Sequence, residues 1–360
     1  MVGLHSSDPA TVYLSTWARV PDFRIELLEE DLYDKRTLIR MLGMRRTMWV
    51  VPTDLVPVLH HSSTVALIDR ERRRHIKMLE EGGITDDGEA WTKRASEAVL
   101  DALGEIGEAT ASELVALIPD LGEKITFYKK DGSVMGTAGM STRTLFLLAT
   151  EGAVVRARPL GSWVSSQYRW ARLSDWLGEP LADLDPVEAS KTLLRHWLLT
   201  FGPGTELDIK WWTGWPVTKV RKTLEAVSAV EVDLDGAVGY LHPTDNQPEE
   251  TPEPWVALLP GLDPTTMGWK ERDWYLGELG GLLFDGNGNA GPTVWVDGRV
   301  VGGWAQESNG EVIYELLADV GSEATQEVAR RAAELGAWLG GVRVSPRFRS
   351  PHVDRLVAGK

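Results

Sequence analysis

Near the amino terminus, His5-Ser6-Ser7-Asp8-Pro9 gathers a histidine, two serines and an aspartate within five residues. Histidine titrates close to neutral pH, so His5 can take or give a proton. The Ser7 hydroxyl can hold a water through hydrogen bonds, and the Asp8 carboxylate can support positive charge developing on a sugar. The same residues have a purely structural reading. Asp8 is a strong helix N-cap and Pro9 suits the first helical position, predicting a helix running to Arg19. A cap and a site are compatible, because a helix start fixes polar groups in place.

Other patterns carry less chemistry. Gly286-Asn287-Gly288-Asn289-Ala290-Gly291 matches the spelling of a dinucleotide loop, but such a loop must open a helix, and here Pro292 and a strand follow. Asp285, Asn287 and Asn289 imitate the start of a calcium loop. The sixth position is Ala290 and the twelfth Val296, so the sharp turn and the bidentate ligand are both missing. His60, His61 and His75 lack metal-ligand spacing, and no metal or other cofactor is expected. The run Arg70-Glu71-Arg72-Arg73-Arg74-His75-Ile76-Lys77 reads as a basic helix, either a solvated face or a phosphate contact. Trp211, Trp212 and Trp215 suit either core packing or stacking on an unpaired base.

Composition narrows the classes. The chain has 360 residues, and no cysteine is among them, which excludes disulfides and thiolate zinc sites. No stretch approaches the roughly 20 apolar residues that span a bilayer, and no signal peptide is read, so a cytoplasmic protein is expected. The formal charge is −15, which opposes a polyanionic partner. Its distribution matters more. Residues 1–94 hold 14 basic and 15 acidic side chains and residues 141–224 hold 11 and 8, whereas residues 225–360 hold 10 and 22. The acidity is concentrated at the carboxyl end, leaving the first two-thirds able to present a basic face.

Hydrophobic periodicity and capping signals place the elements. Residues 95–106 repeat apolar side chains at helical spacing; Thr110-Ala111-Ser112-Glu113 is a capping box opening a helix to Ile118; residues 141–151 form a third helix stopped by Gly152. A loop or short hairpin lies at 129–132, and strands follow at 153–158 and 165–173. Helices, then a hairpin, is the winged-helix order. It recurs with helices at 186–200, after Thr205, and from Pro216 to about Val227, then strands 229–234 and 237–241 across Asp235-Gly236. Residues 25–34, 37–43 and 47–51 supply a partial copy. An acidic, proline-rich linker at 245–254 precedes strands at 256–260, 293–296, 299–304 and 312–317 and a helix at 322–339. The expected fold is α+β: winged-helix units at 1–92, 93–180 and 185–245, then a β-rich, barrel-like domain at 254–360.

With these elements in place, four stretches carry a resemblance: LHSSDPATVYLSTWAR (4–19), RTLIRMLGMRRTMWVVP (36–52), ALLPGLDPTTMGWKERDW (257–274) and GNAGPTVWVDGRVVGGW (288–304). The chain resembles the bacterial AlkZ/YcaQ-like winged-helix DNA glycosylases over essentially its whole length. The resemblance implies tandem winged helices around a channel for duplex DNA, and hydrolysis of the N-glycosidic bond of bulky N7-alkylated or crosslinked purines, without a metal or nucleotide cofactor. Active members carry Gln-x-Gln or Gln-x-Asp where this chain has His5-Ser6-Ser7, so His5 and Ser7 occupy the paired positions. Serine has neither the charge of aspartate nor the two-sided hydrogen bonding of glutamine. Either His5 with Ser7 and Asp8 runs altered chemistry, or the fold binds DNA as a regulator or lesion sensor; a protein–protein scaffold is a third class. Arg40, Arg45, Arg46 and Arg143 are expected to contact the DNA backbone, and the hairpin 293–304 to lie against the duplex. Family members have a helical segment before the motif, so the native start is expected upstream of Met1 and the first winged helix incomplete.

Overall fold

The computed structural model describes residues 2–129, 131–245, 247 and 250–359. Lys130 of the expected 129–132 loop, and Asn246, Pro248 and Glu249 of the linker, lie outside the described residues. The chain forms two compact units, one made of Met1–Leu28 with Leu194–Lys360 and the other of Glu29–Leu193.

In the Glu29–Leu193 unit, Leu38–Leu42 pairs antiparallel with Met48–Pro52, and Gly43 N donates to Thr47 O at 2.9 Å across the tip. The basic run is helical, within Ile68–Glu81. Glu71, His75 and Leu79 fall four apart and are its buried residues, so Arg70, Arg73 and Arg74 are left exposed. Asp87 caps Gly88–Ile106 by accepting from Ala90 N. At Thr110 the capping box forms in both directions: the side chain accepts from Glu113 N and Thr110 N donates to Glu113 Oε2. The helix Ala111–Leu117 stops before Pro119. Lys124–Tyr128 pairs with Val134–Gly139 in a full hairpin, longer than the short one expected there, and leads into the helix Met140–Thr150. Glu108–Thr110, Tyr168–Arg172 and Val154–Pro159 complete an antiparallel sheet in that order. Leu79, Trp91, Val99, Leu103, Leu114, Leu145 and Leu148 fill the core between these helices. Gly152 after the third helix has φ 74°, and a Cβ there would lie 2.8 Å from His60, so both backbone and space demand glycine.

The other unit is built from both ends of the chain. The helix Pro9–Trp17 is two residues shorter than predicted. Thr11, Ser15 and Arg19, four residues apart, dock it: Thr11 donates to Gly261 O at 2.6 Å, Ser15 to Asp263 Oδ2 at 2.7 Å, and Arg19 grips both oxygens of the buried Asp263. The helices Glu206–Thr213 and Val217–Ala226 follow, with Pro216 the cap rather than the first helical residue. Asp235 and Gly236, both with positive φ, turn Val230–Leu234 into Ala237–Leu241.

Val256–Leu259, Thr293–Val296, Arg299–Gln306 and Val312–Leu316 form a four-stranded antiparallel sheet in chain order. Among the described residues it remains open, and the expected barrel-like closure is not formed. Its hairpin 293–304 also departs from expectation. Apart from the turn and its flanks at 296–299 both strands are buried, and Asp297 at the turn accepts from Trp255 N. The hairpin therefore fills a core instead of offering a surface to a duplex. Trp212 and Trp215 are buried as well, so core packing, not base stacking, is their role. The glycine-rich turn closes on itself, with Asp285 accepting from Asn287 N, Asn289 N and Asn289 Nδ2. That leaves no helix start to hold a pyrophosphate.

Candidate active site and nucleic-acid interface

His5 ends a two-residue strand, Leu4–His5, and is 7% exposed. Its Nδ1 faces Ser7 N at 3.4 Å, a long contact that favours the tautomer with the proton on Nε2. Ser6 is fully buried. The Ser7 side is half-buried, and its carbonyl accepts from the Arg347 guanidinium at 3.3 Å. Asp8 caps the helix as predicted, with Oδ1 accepting from Ala10 N at 3.1 Å. Its second oxygen accepts from Arg347 N at 2.8 Å, a contact across 339 positions of sequence. Burial pushes the Asp8 carboxyl above its ordinary value, opposed by the backbone amides of Arg347 and Ala10 and then by the Arg347 charge. With a backbone N–H on each oxygen, Asp8 offers a field rather than a base. His5, Ser7 and Asp8 are thus adjacent, and the carboxyl-terminal tail at Arg347 holds the segment in place.

The four arginines expected on DNA lie in the Glu29–Leu193 unit and do not behave alike. Arg40 is 2% exposed; it donates to the Tyr168 hydroxyl at 2.6 Å and its guanidinium lies over that ring. A side chain buried on an aromatic face cannot reach a phosphate, so the expectation for Arg40 is corrected: it is a core cation. Arg45 and Arg46 occupy the tip of the first hairpin, both in the left-handed region with φ 55° and 61°. Arg45 is exposed. Arg46 pairs with the buried Glu71 at 3.1 Å and lies over the Phe146 ring.

Around Arg46 the charges are mostly of one sign. Its guanidinium is pushed below its ordinary value by burial first, an effect the Glu71 carboxylate opposes and the positive charges of Arg74, Arg70 and Arg143 reinforce. Glu71 also accepts from Arg70. Among the described residues, neither Arg74 nor Arg143 has a carboxylate at ion-pair distance. His75, beneath them, is lowered to about 4 by burial and then by Arg143 and Arg72, so it stays neutral. Arg72 is diverted to Glu89 and Glu151. A concentration of guanidinium groups with one buried counter-charge suits a polyanion. Arg143 is one of the four arginines expected on DNA, and Arg70 and Arg74 belong to the basic run for which the sequence leaves a solvated face and a phosphate contact both open. The burial of Glu71, His75 and Leu79 at four-residue intervals is the signal that assigns them to the outer face.

Among the described residues no three or more His, Asp or Glu side chains converge as a metal site requires. No described helix is long and apolar enough to cross a membrane.

The family model described as DNA glycosylase AlkZ-like matches residues 1–338. The chain belongs to the AlkZ-like DNA glycosylase family. Among solved structures it is similar to the Streptomyces sahachiroi DNA glycosylase AlkZ, with a TM-score of 0.70 and 18% identity over 96% of this chain and 90% of that one. At that identity the likeness shows the fold. No curated protein matches the chain.

Proposed function

We propose that this protein is a DNA repair glycosylase of the cytoplasm that hydrolyses the N-glycosidic bond of bulky N7-alkylated or crosslinked purines in duplex DNA. The observation that carries the reading is the family's motif position, filled here by His5-Ser6-Ser7 and fixed at a capped helix start beside Asp8. In this mechanism His5 Nδ1 gives up its long contact with Ser7 N and accepts the proton of an attacking water, Ser7 helps hold that water, and Asp8 stabilises the positive charge that grows on the sugar as the bond to the cationic base breaks. N7 alkylation makes the base a good leaving group, so a modest catalytic set suffices. The helix, strand, helix, hairpin, helix, hairpin succession between 88 and 172 supports winged-helix units at 93–180 and, by analogy of order, at 1–92 and 185–245, before a β-rich domain at 254–360. Arg45, Arg46, Arg70, Arg74 and Arg143 hold the backbone.

The test is single-turnover excision from a duplex containing one N7-alkylguanine. Wild type yields abasic product, and His5→Ala lowers the rate at least about 100-fold while duplex affinity is unchanged. No abasic product above a protein-free control overturns the enzymatic reading. That outcome, with salt-sensitive binding intact, establishes the second reading, a non-catalytic lesion sensor or regulator. It is favoured by one observation: both Asp8 oxygens already accept backbone N–H groups.

A further inference from the structure

We propose that the cleft walled by Phe201, Trp269 and Trp274 is a binding site for a planar organic cation of small-molecule size. Its volume is about 520 Å³, within the range of roughly 300–1,000 Å³ typical of small-molecule sites. It shares no lining residue with the His5–Asp8 segment or with the arginine cluster. The aromatic wall is fixed from behind: Trp269 donates its indole N–H to Phe201 O at 2.9 Å and packs at right angles to that ring. Trp274 stands at 85° to Trp269 with centroids 5.2 Å apart, so the two indoles do not stack shut. Trp274 is 59% exposed, the most exposed tryptophan among the large apolar side chains at the surface.

The polar part of the lining has one sign. Asp208, Asp233, Asp235 and Glu271 contribute four carboxylates, and among the described residues no lysine or arginine lines the cleft. Asp208 is structural, because its oxygens accept from Thr205 N, Lys270 N and Glu271 N and so fasten the 270–271 segment to the helix Glu206–Thr213. Asp233 and Asp235 are exposed at the hairpin turn. Glu271 accepts the Thr205 hydroxyl at 2.5 Å. That hydroxyl also stands 2.9 Å from Asp208 Oδ2, so one proton faces two carboxylates. Aromatic faces bordered by carboxylates attract a cation and repel a phosphate. Nucleic acid is therefore the wrong occupant, and a flat cation able to lie against indole is the right one.

The experiment uses the full chain without DNA and a matched pair of probes, N-methylacridinium and acridine, in alkaline buffer where acridine is uncharged. Isothermal titration should show one N-methylacridinium bound per chain, at least about tenfold tighter than acridine. Trp274→Ala should weaken the cation at least about tenfold, and Asp233→Asn with Asp235→Asn should remove most of the preference for charge. These residues are exposed, and unchanged melting temperatures will establish that the variants fold. Equal affinity for the two probes, no saturable binding of either, or an affinity indifferent to Trp274→Ala overturns the proposal. Duplex binding and excision should be unaffected by Trp274→Ala, so this site and the glycosylase reading fail independently.

Discussion

Asp8 commits each carboxylate oxygen to a backbone amide, one in its own helix and one in the distant tail. In Asp8→Asn the oxygen can still cap Ala10, but the amide nitrogen then faces Arg347 N–H, donor against donor. The expected cost is about 1–3 kcal/mol in urea unfolding, the penalty of stranded buried donors. A variant as stable as the wild type refutes the tie. At a temperature where the variant remains folded, its excision rate reports the electrostatic role separately. The cap itself was legible from Asp8-Pro9, since both partners of that bond are neighbours. The tie to Arg347 was not, because nothing in either segment encodes a contact across the whole chain.

At the scale of elements, the helix Ile68–Glu81 turns a mostly basic run into two faces, one buried at Glu71, His75 and Leu79 and one cationic. Removing Arg74 and Arg143 together should reduce the slope of log affinity against log salt by about 2, near one phosphate each. Fluorescence anisotropy across a salt series measures this, and an unchanged slope removes the cluster from the interface. Arg40→Met should leave the slope alone and lower stability by roughly 1–3 kcal/mol, because the Tyr168 hydroxyl loses its buried partner. Elements defined by neighbours were readable in the sequence: the Thr110–Glu113 box, the Asp235-Gly236 turn, and Gly152 behind its helix all occur as predicted. Arg40 was misjudged because its burial depends on Tyr168, a residue 128 positions away. The hairpin 293–304 was misjudged for a related reason. Alternation within a strand does not reveal that both its faces are covered.

Across the whole molecule, acid should be destabilising through two histidines. His60 is lowered to about 4 by burial and then by His61, and His75 to about 4 by burial and its arginines. Above their ordinary value near 6.5 both are neutral folded or unfolded and contribute nothing. As pH falls from there toward 4, the unfolded chain takes up protons that the folded chain refuses, so stability declines through that window. Each site should cost on the order of 3 kcal/mol by pH 4, and His75→Gln should flatten the fall in melting temperature. An equally steep decline in both proteins disproves the assignment for His75.

The docking of Thr11, Ser15 and Arg19 on Gly261 and Asp263 has a temporal consequence. A ribosome making this chain releases the proposed catalytic segment first and the loop that seats it some 250 residues later, while Glu29–Leu193 is complete and free to fold in between. Stalled chains ending near residue 245 should therefore resist protease across 29–193 yet be cut readily across 11–28, where Thr11, Ser15 and Arg19 lack their partners. An incomplete translation product is then born with its proposed catalytic segment unseated.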